Sequence, residues 1–372
     1  MKFTCDKIPL LAAILTASRA AAAKSPVPVL EGLLLVVEED IVRITGYDLK
    51  TGIVTTVPAE VEQTGGIVLN ARLFGEIIRK MPGQTITFSV SNGLSATISS
   101  EMSEFDILGS PTSDYPELPL VDGQDYIEIG EELLKKMLSQ TIFAVSDNET
   151  RPIHTGALFD ISGGELIIVA VDGFRLALRR EQMDSDNMSS FSFVVPGTAL
   201  SELEKIASEG DGVVHITLGP KYIMFSIGDT MLISRRLEGE FLNYRNSIPQ
   251  SAKYNLKVRK DEMISAVERV SLIISEKMKS PIKCVFGDGI VNMFTASAVG
   301  KASDECGIEG DGEELEIGFN DRYLLEALKA APAEEIKLEL SSGVTPCVLS
   351  PADDSGNFLY MILPVRLKAY EN

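Results

Sequence analysis

The sequence predicts an α+β protein built from three similar domains, and three observations lead there. First, a short helical pattern occurs three times, over 70–79, 196–205 and 320–329. Each copy has a helix-starting residue, an apolar pair or near-pair, a glutamate, and a basic residue three positions on. Glu76, Glu202 and Glu326 are 126 and 124 residues apart, and Arg79, Lys205 and Lys329 keep that spacing. The interval is too long for a solenoid repeat and suits a domain. Second, a chain of 372 residues exceeds an ordinary single domain. Third, helical patterns are scattered among meandering strands without regular βα alternation, which argues against a doubly wound parallel sheet. The expected domains are 1–122, 123–250 and 251–372.

Each domain reads as helix, strands, helix, strands, so six half-units share one plan. In the first, Ile8, Leu11, Ala12 and Leu15 fall on one face of a helix over 7–19, with Asp6 as its cap. A proline-rich loop at 24–28 leads to an apolar strand, 29–37, and further strands flank Tyr47 and Asp48. A helix over 70–81 stops at Met81-Pro82-Gly83. Strands 85–90, 95–99 and 105–108 follow, and Asp114-Tyr115-Pro116 closes the domain. The second domain repeats this order. A helix over 131–143 precedes a polar loop at 146–151, then a strand, a tight Asp172-Gly173 turn and another strand. A helix over 197–207 comes next, and 241–249 closes the domain around Tyr244. The third has helices over 259–275 and 320–331, and strands 282–286, 336–340, 346–349 and 359–365.

Composition narrows the class. A hydrophobic content of 45% is that of a globular protein with a real core. No run approaches the ~18 apolar residues of a membrane span, and the early Asp6 and Pro9 argue against a secretory leader. Cys5, Cys284, Cys306 and Cys347 lie far apart without a C-x-x-C pair, so neither a zinc site nor a disulfide framework is expected, and a reducing cytoplasmic setting fits. The net charge of −20 is unevenly spread. The six helical segments carry formal charges of +2, +2, 0, −1, 0 and 0, a total of +3, which leaves −23 on the rest. An acidic body with neutral to basic helices is a charge asymmetry.

Catalytic signatures are missing. Gly300-Lys301-Ala302 fails the phosphate-loop pattern, 184–187 lacks the Gly and Glu of a calcium loop, and the two histidines, His154 and His215, form no metal-ligand motif. No cofactor is expected. Asp172 is the most catalytic-looking acid, but its place before Gly173 reads as the first residue of a turn. Two surfaces are left. Lys24, Arg151 and Lys277 recur beside loop-ending prolines, Arg72 and Arg322 share a helix position, and Arg79, Lys205 and Lys329 complete the set. If the helices share an axis, this set makes a lining that touches phosphate without reading bases. The same charges equally suit helix-end compensation and pairing with the repeated glutamates. The second surface is 360–367, apolar yet carrying Pro364: either an edge strand offering a docking groove or an ordinary last core strand. An enzyme centred on Asp172 and Arg175, or a scaffold without nucleic acid, is the competing class.

Taken in order on a threefold repeat, certain stretches resemble the bacterial sliding-clamp family, the DNA polymerase III beta subunits. They are Pro28-Val29-Leu30-Glu31-Gly32, Thr45-Gly46-Tyr47-Asp48-Leu49, Asp114-Tyr115-Pro116, Val171-Asp172-Gly173-Phe174-Arg175-Leu176, Gly318-Phe319-Asn320 and Leu363-Pro364-Val365-Arg366-Leu367. The resemblance implies a non-catalytic processivity factor: a head-to-tail homodimeric ring, helices lining a hole around duplex DNA, antiparallel sheets outside. It implies DNA-facing positions at Lys24, Arg72, Asn148 and Arg151, to which the symmetric set adds Arg79, Lys205, Lys277 and Arg322. It implies a groove for short peptide motifs of the clamp loader, the replicative polymerase and repair proteins. That groove would use His154, Val171, Gly173, Phe174, Arg175 and Leu176, then Leu242, Asn246 and Pro346, and the run Met361, Ile362, Leu363, Pro364, Val365 and Arg366. The ring would close through Leu73, Phe74, Phe105 and Ile107 of one chain against Ile273 and Ile274 of the other. The family usually ends at the position of Leu367; here five residues follow.

Overall fold

Among the described residues, six of the seven helices begin at the end of a strand or one residue beyond it, and this junction is the local unit of the chain. The computed structural model describes residues 1–91, 93–121, 126–183, 190–275, 280–353 and 355–367. Among them the helices are α1 (Lys7–Ser18), α2 (Ala71–Lys80), α3 (Glu131–Ser139), α4 (Gly197–Ile206), the single turn α5 (Tyr244–Ser247), α6 (Lys260–Ser271) and α7 (Asp321–Ala330). All but α5 begin where a strand ends, α7 one residue beyond it. At α2 and α7 the side chains of Asn70 and Asn320 cap the start, accepting from Leu73 N and Tyr323 N. Asp6 does not cap α1; the N–H of Lys7 instead donates to Gln84 O at 2.7 Å.

The described residues form two compact units. The first holds 1–135 and 198–236. It has a five-stranded antiparallel sheet in the order Glu60–Gln63, Lys2–Asp6, Thr85–Val90, Ser95–Ser100, Ser103–Leu108. Its eight-stranded sheet runs Tyr126–Gly130, Val213–Leu218, Tyr222–Ile227, Thr230–Arg235, Thr51–Pro58, Ile41–Tyr47, Gly32–Glu38, Gly65–Asn70. α1 and α2 bury Leu10, Ile14, Phe74 and Ile78 against these strands. Phe88 stacks on Phe3 at 5.0 Å and meets the Phe74 ring edge-on at 6.0 Å. Phe74 is therefore enclosed in the core and offers nothing to a second chain, contrary to its expected place at a ring-closing surface.

The second unit holds 136–197 and 237–372. Its ten-stranded antiparallel sheet runs Phe191–Pro196, Gly156–Ser162, Glu165–Val171, Arg175–Gln182, Phe358–Ile362, Cys347–Pro351, Glu335–Leu340, Tyr254–Arg259, Gly300–Phe319, Ile282–Ser297. α6 buries Met263, Ala266, Val267 and Val270, and α7 buries Leu324, Ala327 and Leu328. Tyr244 donates to Asp160 Oδ2 at 2.7 Å, fastening the closing segment of the middle third, as Tyr115 fastens that of the first by donating to Thr45 O at 3.3 Å. All four cysteines are buried as free thiols. Burial pushes Cys5 and Cys284 up to about 12 and Cys306 up to about 11, and raises Cys347 further.

Several elements differ from the sequence-based expectation. α1 buries Leu10, Ala13, Ile14 and Ala17, while Ile8 is 79% exposed. The run 10–15 is apolar on every side, so periodicity cannot choose the inner face; docking chooses it. Residues 28–31 form a 3₁₀ turn, fixed by Pro28, before the strand starts at Gly32. The expected helix over 131–143 stops at Ser139, with a 3₁₀ turn at Ile142–Ala144, and that over 259–275 stops at Ser271. The expected strand 282–286 runs on to Ser297 in a long hairpin with Gly300–Phe319. The last strand ends at Ile362 and lies inside the sheet between two neighbours, so it is no edge; Pro364 stands outside it.

One close approach sets how α1 sits. A Cβ at Gly46 would lie 2.0 Å from Ala17 O, a separation no side chain tolerates. Gly46→Ala should destabilise the protein by about 1–3 kcal/mol, the usual cost of forcing a packed contact apart, read as a lower urea midpoint with an unchanged slope.

Candidate functional site

The second unit carries a compact site built on the turn after strand Glu165–Val171. Asp172 Oδ1 accepts from the N–H groups of Phe174 at 2.8 Å and Arg175 at 3.0 Å. Gly173 has φ +92°, a conformation that L side chains rarely adopt, so the tight turn depends on glycine there. The turn lifts Phe174 into solvent, 59% exposed. Its carbonyl accepts from Leu363 N at 2.8 Å, and Val365 N donates to Gly318 O at 2.8 Å. These two bonds lead 363–367 off the sheet past the turn.

Strand alternation then divides the neighbouring residues between two faces. Leu176 pairs with Met361 and Arg175 with Ile362. Leu176, Met361 and Val171 join Leu158, Val194 and Val348 in one apolar cluster, against which Ile153, Phe241 and Ile248 pack. The His154 ring meets Phe241 edge-on at 5.6 Å, and burial followed by the nearby Arg151 lowers its pKa, so it is neutral at pH 7. Leu242 and Asn246 are exposed beside this patch. Pro346 and Val348 line a cleft of about 190 Å³ together with Pro249, Gln250 and Thr345.

Arg175 and Ile362 take the opposite face, and this corrects their expected place in a groove. Arg175 is 5% exposed. Its Nε donates to Asp172 Oδ2 at 2.9 Å, Nη2 to Phe143 O at 2.6 Å, and Nη1 to Glu326. The guanidinium lies 4.4 Å from the centre of the Tyr323 ring, which in turn stacks on Phe174 at 6.3 Å. Arg175 thus supports the turn from behind. Ile362 is wholly buried. Tyr323 was missed from the sequence, and Glu326 was read there only as one of the repeated glutamates, not as a partner of Arg175; the cap Asn320 was the signal that fixed the phase of α7. Burial works to raise the Glu326 carboxyl, but hydrogen bonds from Arg322 and Arg175 outweigh it and hold its pKa below the ordinary value.

The same bonds decide the standing of Asp172. One carboxylate oxygen accepts from two backbone N–H groups and the other from Arg175, so three of its about four lone-pair sites are committed to holding the turn. Among the described residues no cluster of three His, Cys, Asp or Glu side chains could hold a metal. Among the described residues no helix is long and apolar enough to cross a membrane.

The expected cationic set divides in two. Lys24, Arg72 and Arg151 are exposed, as is Asn148, whose Oδ1 accepts from Thr150 N at 3.0 Å. Arg79 instead pairs with Glu76 at 2.6 Å, Lys205 with Glu202 at 2.7 Å, and Arg322 with Glu326 at 2.8 Å. Lys329 pairs with Glu268 at 2.6 Å. Pairing with the repeated glutamates is therefore present for three of the set. Lys277 lies outside the described residues, as do 184–187 and 368–372. Of the expected ring-closing residues, Leu73 and Phe105 are exposed and Ile107 partly so; Phe105 and Ile107 sit on Ser103–Leu108, a terminal strand of its sheet. Ile273 and Ile274 lie half-buried just after α6, next to the exposed Leu272.

Comparison with known proteins decides the family. Models of the DNA polymerase III beta subunit match end to end: the N-terminal domain at 1–119, the central domain at 128–243 and the C-terminal domain at 245–366. The chain belongs to the DNA polymerase III beta subunit family. The beta sliding clamp of Bacillus subtilis is 33% identical over 377 residues, covering 98% of this chain and 100% of the relative. That of Staphylococcus aureus is 32% identical over 98% of this chain and 99% of its own length. Among solved structures, the B. subtilis DNA polymerase sliding clamp superposes with a TM-score of 0.94 at 32% identity, covering 99% of this chain and 100% of that one. A putative beta subunit from Eubacterium rectale gives 0.93 at 31%, covering 98% and 99%. The fold is thus the α+β clamp fold of three domains with antiparallel sheets, and the family is one of processivity factors, not enzymes.

Arg175→Met should remove the support beneath the turn and leave two carboxylates facing each other. A loss of about 3–5 kcal/mol is expected, as for breaking a buried pair by deleting one partner. Equilibrium urea unfolding measures it, and a loss under about 1 kcal/mol would show the pair to be no stronger than a surface one.

Proposed function

We propose that the chain is a DNA sliding clamp: two copies close head to tail into a ring around duplex DNA and tether the replicative polymerase and other replication and repair proteins to it. The observation that carries this reading is likeness to sliding clamps over the full length of both partners, 98–99% of this chain and 100% of the B. subtilis relative. The proposed domains are 1–122, 123–250 and 251–372, with the helices facing the DNA. The mechanism is topological. A closed ring stays on DNA without binding it tightly, and weak phosphate contacts from Lys24, Arg72, Asn148 and Arg151 permit movement along it. The acidic remainder of a chain of net charge −20 repels DNA from every other surface.

The apolar cluster beside Phe174, with 363–366 along its rim, is the proposed docking groove. It suits short partner peptides that carry leucine or aromatic anchors, since such anchors gain most from a small dry pocket. A clamp loader would open and close the ring, and the setting is the cytoplasm, on the nucleoid. Ring closure is assigned to the exposed strand Ser103–Leu108 of one chain and the region after α6 of the other. An exposed edge strand presents unpaired backbone N–H and C=O groups to which a second chain can pair.

Two outcomes test this. Loaded protein should remain on closed circles far longer than on the same circles after linearisation, and added salt should weaken binding to open DNA while releasing the ring from closed circles only slowly. Equal release from both forms sinks the reading. Deleting 363–367 should abolish capture of a leucine- and phenylalanine-bearing clamp-binding peptide while the protein still sediments as a dimer.

A further inference from the structure

Glu76 and Glu202 have no part in the function argued so far, yet each of the three repeated glutamates holds at least one cation. Glu76 takes Arg79 at 2.6 Å. Glu202 takes Lys205 at 2.7 Å and also Arg19 at 3.1 Å, on a different helix end. Glu326 takes Arg322 at 2.8 Å together with the buried Arg175. Three copies of one pattern thus end in the same local chemistry, a carboxylate laid across the cation that a phosphate would use.

We propose that Glu76 and Glu202 are built-in competitors for DNA phosphate, which set how lightly the ring holds the duplex. The inference rests on the clamp reading above. Holding the helices together is a weak explanation for these pairs. Exposed pairs three residues apart add little to a helix, and salt screens them. Arg79 and Lys205 are half exposed, so each can leave its carboxylate for a phosphate oxygen, which accepts the same charge-assisted bond. Such an exchange has nearly equal partners on both sides. The released carboxylate then stands beside the phosphate and repels it. Each contact is therefore shallow, and the DNA passes from one cation to the next without a deep well. Glu326 is set apart, because losing it would also disturb Arg175 and the turn.

The test uses the full chain with Glu76→Gln, Glu202→Gln and, as a control of equal charge change, Glu62→Gln. Glu62 holds Lys2 at 2.7 Å on a strand, away from the helices. Binding to a short linear duplex is measured across about 50–200 mM salt, where each phosphate contact adds about 0.9 to the slope of log K against log salt. Glu76→Gln frees one cation and should steepen the slope by up to about 0.9; Glu202→Gln frees Lys205 and Arg19 and should steepen it by up to about 1.8. Glu62→Gln should leave it unchanged, and the double variant Glu76→Gln with Arg79→Gln should lose the whole gain. Unchanged slopes in both helix variants, or an equal steepening in the control, overturn the proposal. If the unaltered protein leaves closed and cut circles equally fast, the clamp reading falls and takes the proposal with it, whatever the slopes show.

Discussion

Two strand pairings hold this chain together, and the rest of the architecture depends on them. Leu232 of the middle third pairs with Ile53 of the first, and Leu178 of the middle third pairs with Leu359 of the last. Each makes a continuous antiparallel sheet out of strands from two repeats. A repeat in this protein is therefore not a self-contained body with its own closed sheets. In each shared sheet one hydrogen-bonding edge of a repeat is satisfied by its neighbour, and an unpaired interior edge would carry the full penalty of buried N–H and C=O groups. The compact units cut through the middle third for the same reason: the backbone bonds, not the sequence period, decide what coheres.

The turn at 172–175 depends on this arrangement. Arg175 stands on the strand that pairs with Phe358–Ile362, so the pairing that joins the repeats also brings the last strand beside Phe174. α7 then supplies Tyr323 and Glu326 from the third repeat to an arginine from the second. The turn is thus held by three separate stretches, each anchored in a sheet or a helix.

Much of this was legible in the sequence. Breakers and caps such as Asn70, Pro82 and Asn320 fixed helix boundaries within a few residues, and the Asp172-Gly173 pair announced its turn. What failed was what depends on partners far along the chain. The helix at 7–18 is apolar all round, so its buried face is chosen by the sheet beneath it. Phe74 carries the same aromatic signal whether it faces a core or a partner, and only the ring of Phe88 decides. Val365 and Pro364 looked like part of a strand because the apolar run continues past Ile362, although the ladder ends there. Arg175 looked like a surface contact because an arginine between apolar residues gives no hint that two acids and an aromatic ring enclose it. For the basic positions Arg79, Lys205 and Arg322, pairing with Glu76, Glu202 and Glu326 was one of two equal readings until the distances were known.

The cysteines have a practical consequence. Every native thiol is shut inside the protein, and burial favours its protonated, unreactive form over the thiolate that maleimides and other electrophiles attack. A single cysteine introduced on an exposed helix position would thus be the one accessible thiol on the folded chain. Fluorophores, spin probes or crosslinkers could be attached there without stripping out the native sulfur atoms, so the reporter would be carried by an otherwise unaltered molecule.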